Sequence, residues 1–448
     1  MTARADSGSR LARAGLVAAV VSRLFGRVVG ILLIVLIARK AGDDTVATYG
    51  YLLGTATLVS TLTDLGVAAV AGREVAAGRL PAGGALWAAL PLQALSVGAA
   101  VLITWLLCTL LGPAGIPGTA LLLTMAFVVV TGFVGLWGEL LRGSGRVYLE
   151  GALQMGSALA LVVGGVLVTQ AGGDATDLLV VVVGKEVVVL AISCALLRPQ
   201  RTDAIRRRTL LGQSLWVAVA GTVLVLLWRQ GTIIAGTGSI TVLAVYVVAS
   251  RYLDALVTVA HTAGIGLVPG MSALSTDPVR LRVAVRSYLR LAIVVGVAVA
   301  VVGSLAARPL TLVPFGNRWE EAIPAVRAFA LMTLPVLLAF VTWPALLARH
   351  QVRLAAGACT AAALSGIGVT LVLFHASPSA TAPAVGTGLG ATVLALVMLY
   401  GIRDLLWGPA PRASAVDGTA VDGTAADVTV ADVTSADASL SRSVSPPA

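Results

Sequence analysis

Twelve stretches of more than twenty mostly apolar residues follow one another along the chain: roughly 14–38, 46–70, 85–111, 118–141, 149–170, 176–198, 210–234, 240–264, 288–313, 322–346, 353–375 and 384–407. A helix needs about 20 such residues to cross the hydrocarbon of a bilayer. In that medium each backbone N–H and C=O must be paired within its own segment, so the spans are helices. The expected fold is therefore an all-α membrane protein with about twelve transmembrane helices. Composition agrees, with 58% hydrophobic and only 12% charged residues against about 25% in a soluble domain. That excludes ordinary soluble enzymes, disordered chains and secreted disulfide scaffolds. Gly112-Pro113, Gly172-Gly173 and Pro378 mark several of the turns between spans.

The formal charge of +10 is an orienting signal, not a nucleic-acid signal, because the basic residues sit between apolar runs. One side collects Arg4, Arg10, Arg13, Arg73, Arg79, Arg142, Arg146, the Arg198–Arg208 loop, Arg280–Arg290, Arg349, Arg353, Arg403, Arg412 and Arg442. The other holds Arg39, Lys40, Arg229, Arg308 and Arg318. The tally is 21 against 5, and the alternation holds only with twelve spans. Both termini are thus expected in the cytoplasm, with the protein multi-pass in the cytoplasmic membrane. The first apolar run is too long for a cleavable signal peptide and contains Arg23 and Arg27.

The longest basic loop divides the chain into two six-span halves, a common transporter plan. The expected organisation is a cytoplasmic N-terminus (1–13), a first lobe (14–198), a basic loop (199–209), a second lobe (210–407) and a tail (408–448). In the tail Asp417, Asp422, Asp427, Asp432 and Asp437 recur every five residues among small residues. It contains no aromatic residue and is expected to be a passive disordered cytoplasmic segment. Cys108, Cys194 and Cys359 lie inside apolar runs and read as buried small hydrophobes.

Enzyme signatures are missing. Gly184-Lys185 lacks the rest of a phosphate-binding loop, and His261, His350 and His375 are far apart in sequence. No cofactor is indicated. Gly386-x-Gly388-x-Gly390 has no strand before it and reads as close helix packing or a hinge. Energy would come from an ion gradient (H+ or Na+), the membrane potential or the substrate gradient.

Charges inside the spans carry the information, because charge at membrane depth is costly and usually faces the bundle interior. Arg23 and Arg27 stand four apart on one face of the first helix. At 1.5 Å per residue they lie roughly 14 and 20 Å from the cytoplasmic end. Arg251 and Asp254 lie at about 20 and 15 Å in the eighth span, and Asp64 at about 9 Å in the second. Lys185 and Glu186 sit near the middle of the sixth. A polar cavity between lobes would gather these cations and suit an anion such as phosphate, whose geometry matches the guanidinium fork. The competing reading is structural pairing of Arg23 with Asp64 and of Arg251 with Asp254 or Glu186, the acids alternatively serving in ion coupling. Arg327 is expected to snorkel to the outer surface.

Asp43-Asp44, after the first span, could hold a metal in a membrane glycosyltransferase or polymerase. Capping of the second helix together with Thr45, at the positive end of its dipole, accounts for them more simply.

Several motifs in order resemble polysaccharide flippases of the multidrug/oligosaccharidyl-lipid/polysaccharide exporter superfamily. They are Ser22-Arg23 through Ala38-Arg39-Lys40-Ala41-Gly42, Tyr49-Gly50-Tyr51, Asp64-Leu65-Gly66 and Arg73-Glu74. Arg142-Gly143 with Arg146, Ala244-Val245-Tyr246 with Ala249 and Arg251, and Val313-Pro314-Phe315-Gly316 with Trp319 continue the series to about residue 407. The resemblance implies two six-helix bundles around a central V-shaped cavity. It implies flipping of a polyprenyl-diphosphate-linked oligosaccharide by alternating access, in a monomer working beside glycosyltransferases and a polymerase. Arg23, Arg27 and Arg251 match positions where such proteins place cavity cations. Where many members carry an Asp after the seventh-helix Arg, this chain has Arg229-Gln230-Gly231. Twelve spans without an extra pair argue against the peptidoglycan-precursor branch. A multidrug exporter of the same superfamily is the alternative transport reading, although a cationic cavity disfavours cationic drugs.

Overall fold

The computed structural model describes residues 25–407, apart from 27, 65, 201–206, 275–276 and 350. Arg23, Arg27 and the 408–448 tail lie outside the described residues, as does the side chain of Asp64. Every regular element among the described residues is a helix. Residues 28–40 form α1, followed by α2 (Asp43–Asp64), α3 (Val67–Ala76), α4 (Ala82–Leu110), α5 (Gly118–Gly143), α6 (Val147–Gln170) and α7 (Ala175–Leu196). The second half has α8 (Arg207–Gly236), α9 (Ile240–Ala273), α10 (Pro278–Leu305), α11 (Ala307–Phe315), a 3-10 turn (Asn317–Ala322), α12 (Ile323–Leu331), α13 (Thr333–Ala348), α14 (Val352–Ala376), α15 (Thr381–Gly401) and α16 (Arg403–Trp407).

Among the described residues, ten helices are long and apolar enough to cross a membrane, and the bent pair α2/α3 makes an eleventh. The described part of the first apolar run is α1. The two halves of the bent pair meet at 53° beside Gly66, whose φ of 69° suits a residue without a Cβ. Each apolar run thus has its helix, but several helices are longer than their runs. α10 begins at Pro278, capped by the Asp277 side chain on the N–H groups of Val279 and Arg280. Arg280, Arg282 and Arg286, read from sequence as loop residues, therefore ride on a helical extension. Arg282 donates to the Asp404 carbonyl at 3.1 Å, Arg286 to the Leu406 carbonyl, and Arg349 reaches Asp404 Oδ2 at 2.6 Å. These contacts hold α16 against the bundle.

The two halves meet where α2 lies against α8 and α9. Small residues allow this close approach. A Cβ on Gly50 would overlap the Val247 side chain, and one on Gly54 would lie 2.9 Å from Thr232 Cγ2. The Tyr51 ring fills the space above Gly236. The glycine-rich segment 386–390 is likewise a packing device. Gly386 and Gly390 abut the α14 backbone near Gly366 and Ala362, with carbonyl oxygens only 2.7 Å from where a Cβ would stand. Cys108 and Cys359 are buried as expected, whereas Cys194 is exposed on α7, where an apolar thiol can face lipid. Arg327 is exposed on α12.

Candidate functional site

A cavity of about 140 Å³ opens between helices of both halves. Gly26 and Gly30 of the first span, Tyr49, Gly54 and Thr57 of α2, and Leu161 of α6 form one wall. Arg229 of α8 and Arg251, Asp254 and Ala255 of α9 form the other. The absence of side chains at Gly26 and Gly30 leaves room opposite the charged wall.

The charged wall is a triad. Asp254 Oδ1 accepts from Arg229 Nη2 at 2.8 Å, and Oδ2 lies 3.1 Å from Arg251 Nη1. Arg251 and Asp254 are three apart on one helix, which brings them to one face. Arg251 Nε also donates to the Val247 carbonyl at 3.1 Å, which fixes the guanidinium along its own helix. All three side chains are nearly buried, with 10–13% of each exposed. One carboxylate and two guanidinium groups give these three side chains together a charge of +1. Such a wall attracts an anion, and either fork can exchange a carboxylate oxygen for a phosphate oxygen.

Arg229 corrects the sequence reading. The count of basic residues placed it on the outer side, but it lies within α8, is 9% exposed and belongs to neither side. The signal was available, since Arg229 falls inside the apolar run 210–234 and charge within a run marks the interior. The structural pairing considered for Arg251 is present, with Asp254 and not Glu186 as its partner.

Lys185 is not brought into this cavity. Its ammonium pairs with the adjacent Glu186 and donates to Ser157 Oγ of α6 at 3.1 Å. The two charges satisfy each other on the α6–α7 face. Asp43 and Asp44 begin α2 and occupy its first turn, not the cap position before it. They keep the favourable end of the helix dipole, and Asp43 lies 3.9 Å from Arg318. Among the described residues no group of three or more His, Cys, Asp and Glu could hold a metal ion.

Gln230, next to Arg229, points the other way. Its amide donates to Thr370 Oγ1 at 3.0 Å and Thr387 Oγ1 at 3.2 Å, tying α8 to α14 and α15. The position carries a neutral, buried hydrogen-bonding node.

On the arginine-poor side the halves are latched. Arg39, at the end of α1, donates to the Val313 and Pro314 carbonyls at the end of α11. Arg318 donates to the Ala38 and Ala41 carbonyls, the latter at 2.8 Å, and Trp319 Nε1 reaches Ala38 O at 3.2 Å. Each half thus supplies an arginine to the other's helix C-terminus, where unpaired carbonyls and the dipole favour a cation.

A family profile described as polysaccharide biosynthesis protein matches residues 48–324. The chain belongs to the polysaccharide biosynthesis protein family. Comparison with curated protein sequences gives no match. Among solved structures, the lipid II flippase MurJ in an inward closed conformation superposes with a TM-score of 0.66 at 14% identity, over 86% of this chain and 88% of that one. An inward-facing multidrug resistance MATE family transporter of the MOP superfamily gives 0.67 at 15% identity, over 86% and 94%. A MOP superfamily transporter from Pyrococcus furiosus, described as having a binding pocket of reversed polarity, gives 0.57 at 14% identity, over 88% and 95%. This member of the polysaccharide biosynthesis family therefore shares the two-lobe helical fold of those transporters, and its ten or eleven apolar spans among the described residues make it a multi-pass membrane protein.

Proposed function

We propose that this membrane protein is a transporter that flips a polyprenyl-diphosphate-linked oligosaccharide across the cytoplasmic membrane for surface polysaccharide synthesis. The observation that carries the reading is the Arg229–Asp254–Arg251 triad, a cationic wall facing a glycine-lined space between the two halves. A diphosphate can present oxygens to both guanidinium forks at once. Asp254 shares itself between the arginines, which offsets the cost of holding their charges at low exposure. An arriving diphosphate competes for those donors. The glycan would occupy the cavity and the lipid tail would remain in the bilayer. The latch at Arg39 and Arg318 ties the arginine-poor end, so loading would be from the arginine-rich side, which its basic residues mark as cytoplasmic. Arg23 and Arg27 are proposed to extend the cationic wall from the first span. Lys185–Glu186 would serve as a structural pair, or with Asp254 and Asp64 in H+ or Na+ coupling. The lobes would be 14–198 and 210–407, acting as a monomer without bond-making chemistry of its own, beside glycosyltransferases and a polymerase.

Proteoliposomes loaded with a fluorescent farnesyl-diphosphate-linked disaccharide test the reading. Wild type should expose the label to an external quencher, and Arg229→Ala or Arg251→Ala should slow this by about tenfold or more, the equivalent of one lost charged hydrogen bond. Arg251→Lys should recover only part, since a point charge lacks the fork. The same variants made at Arg23 and Arg27 test their part. Efflux of organic cations by wild type with no movement of the diphosphate would overturn the proposal in favour of a drug exporter.

A further inference from the structure

The face of α9 beside the charged triad borders a second, apolar space. A groove of about 310 Å³ runs between α9, α10, α12 and α13. Tyr252, Leu256 and Val259 line it from α9, at the i, i+4, i+7 spacing of one helical stripe. Arg251, Asp254 and Ala255 form the neighbouring stripe, and Ala255 lines both spaces. The cationic cavity and the apolar groove are thus adjacent across a single small residue. The groove is open along its rim, where Val259, Val295 and Val299 are 41–56% exposed. In a membrane-spanning bundle such a rim faces hydrocarbon.

The wall of the groove is corrugated. Val295 and Val299 stand one turn apart along α10, and Ala255 of α9, Gly303 of α10 and Ala330 of α12 each leave a hollow between larger side chains. A Cβ on Gly303 would already stand 3.1 Å from the Ala330 Cβ. Tyr252 closes one stretch by donating its hydroxyl to the Leu310 carbonyl of α11, so the aromatic ring presents carbon to the groove while its polar end is satisfied. A polyisoprenoid carries a methyl branch at every fourth chain carbon, a repeat close to the helical pitch of about 5.4 Å. Its separate branches can fill separate hollows that a straight acyl chain would leave empty.

We infer that this groove holds the first isoprene units of the substrate's lipid tail while the attached diphosphate lies on the Arg229–Arg251 wall. The inference rests on the proposed function for the diphosphate. It adds a second recognition element, which selects the lipid carrier by its branched chain.

Binding of farnesyl diphosphate, dodecyl diphosphate and inorganic pyrophosphate to the purified full chain in nanodiscs separates the two claims. Wild type should bind farnesyl diphosphate about tenfold or more tighter than pyrophosphate, the gain from about two buried methylenes. Val299→Trp and Ala330→Phe, which fill the groove, should remove most of this advantage while pyrophosphate binding stays unchanged and reports a folded cavity. Val302→Trp, on the exposed surface of α10 outside the groove, should change neither. An undiminished farnesyl advantage in both filled variants would overturn the groove assignment. An equal, equally sensitive advantage for dodecyl diphosphate would show a site for any alkyl chain and overturn the branched-chain selectivity. Absence of pyrophosphate binding in wild type, with farnesyl binding still sensitive to Val299→Trp, would instead overturn the arginine wall and leave the groove standing.

Discussion

Arg229 on α8 and Asp254 on α9 meet at 2.8 Å, joining two consecutive spans through charges 25 positions apart in sequence. Because Arg251 takes the other carboxylate oxygen, two substitutions in the triad have unequal costs. Asp254→Ala removes the shared anion from two arginines and should cost about 3–5 kcal/mol. Arg251→Gln leaves Arg229 on Asp254 and should cost about 1–2 kcal/mol. Chemical unfolding in detergent compares them, and equal losses would show that Asp254 does not organise the triad.

The reciprocal latch predicts a change in accessibility. Removing both donors with Arg39→Ala and Arg318→Ala leaves the carbonyls of Ala38, Ala41, Val313 and Pro314 without them. The arginine-poor end should then open more often. A single cysteine at Val247, packed against Gly50 in a chain with its natural cysteines changed to serine, reports this. Thiol labelling from that side should rise by about tenfold, which a shift of about 1.4 kcal/mol would produce. Unchanged labelling would show that the latch does not limit opening.

The α2–α9 crossing depends on Gly50. Gly50→Leu drives a side chain into Val247 and should destabilise the bundle by about 1–3 kcal/mol. Pairing it with Val247→Ala should recover part of the loss. Membrane abundance and Tm read the effect, and a tolerated Gly50→Leu would mean that the halves can separate there without cost.

Docking of α16 should depend on acid. The Arg349 guanidinium beside Asp404 holds its carboxyl below the usual carboxylate range. The ion pair is complete at neutral pH and is lost as pH falls through that lowered value. A spin label at Trp407 should gain mobility over that interval. In Asp404→Asn the label should be mobile at neutral pH and indifferent to acid. A pH response that survives this substitution would assign the docking to another group.

The helical plan was readable because each span is encoded locally. Gly-Pro breaks and apolar length alone define α4 and α5, and the same reasoning explains Gly386 and Gly390 as packing residues. Reading failed where a helix continued past the apolar run. Arg282 and Arg286 are on α10 because Asp277 caps a turn that hydropathy does not detect. Lys185 looked like a cavity cation by depth, but depth says nothing about azimuth. Glu186 and Ser157 hold it on another face.

The sequence by itself determined the all-helical class and the order of the apolar spans, because hydrocarbon requires each segment to satisfy its own backbone. Only the tertiary structure decided which charges meet. Arg229, Arg251 and Asp254 converge through the rotation of α8 against α9, and the same rotation sets the apolar groove beside them. That rotation is fixed by packing over the whole bundle, including contacts such as Gly54 on Thr232 and Gly50 on Val247, between residues far apart in sequence.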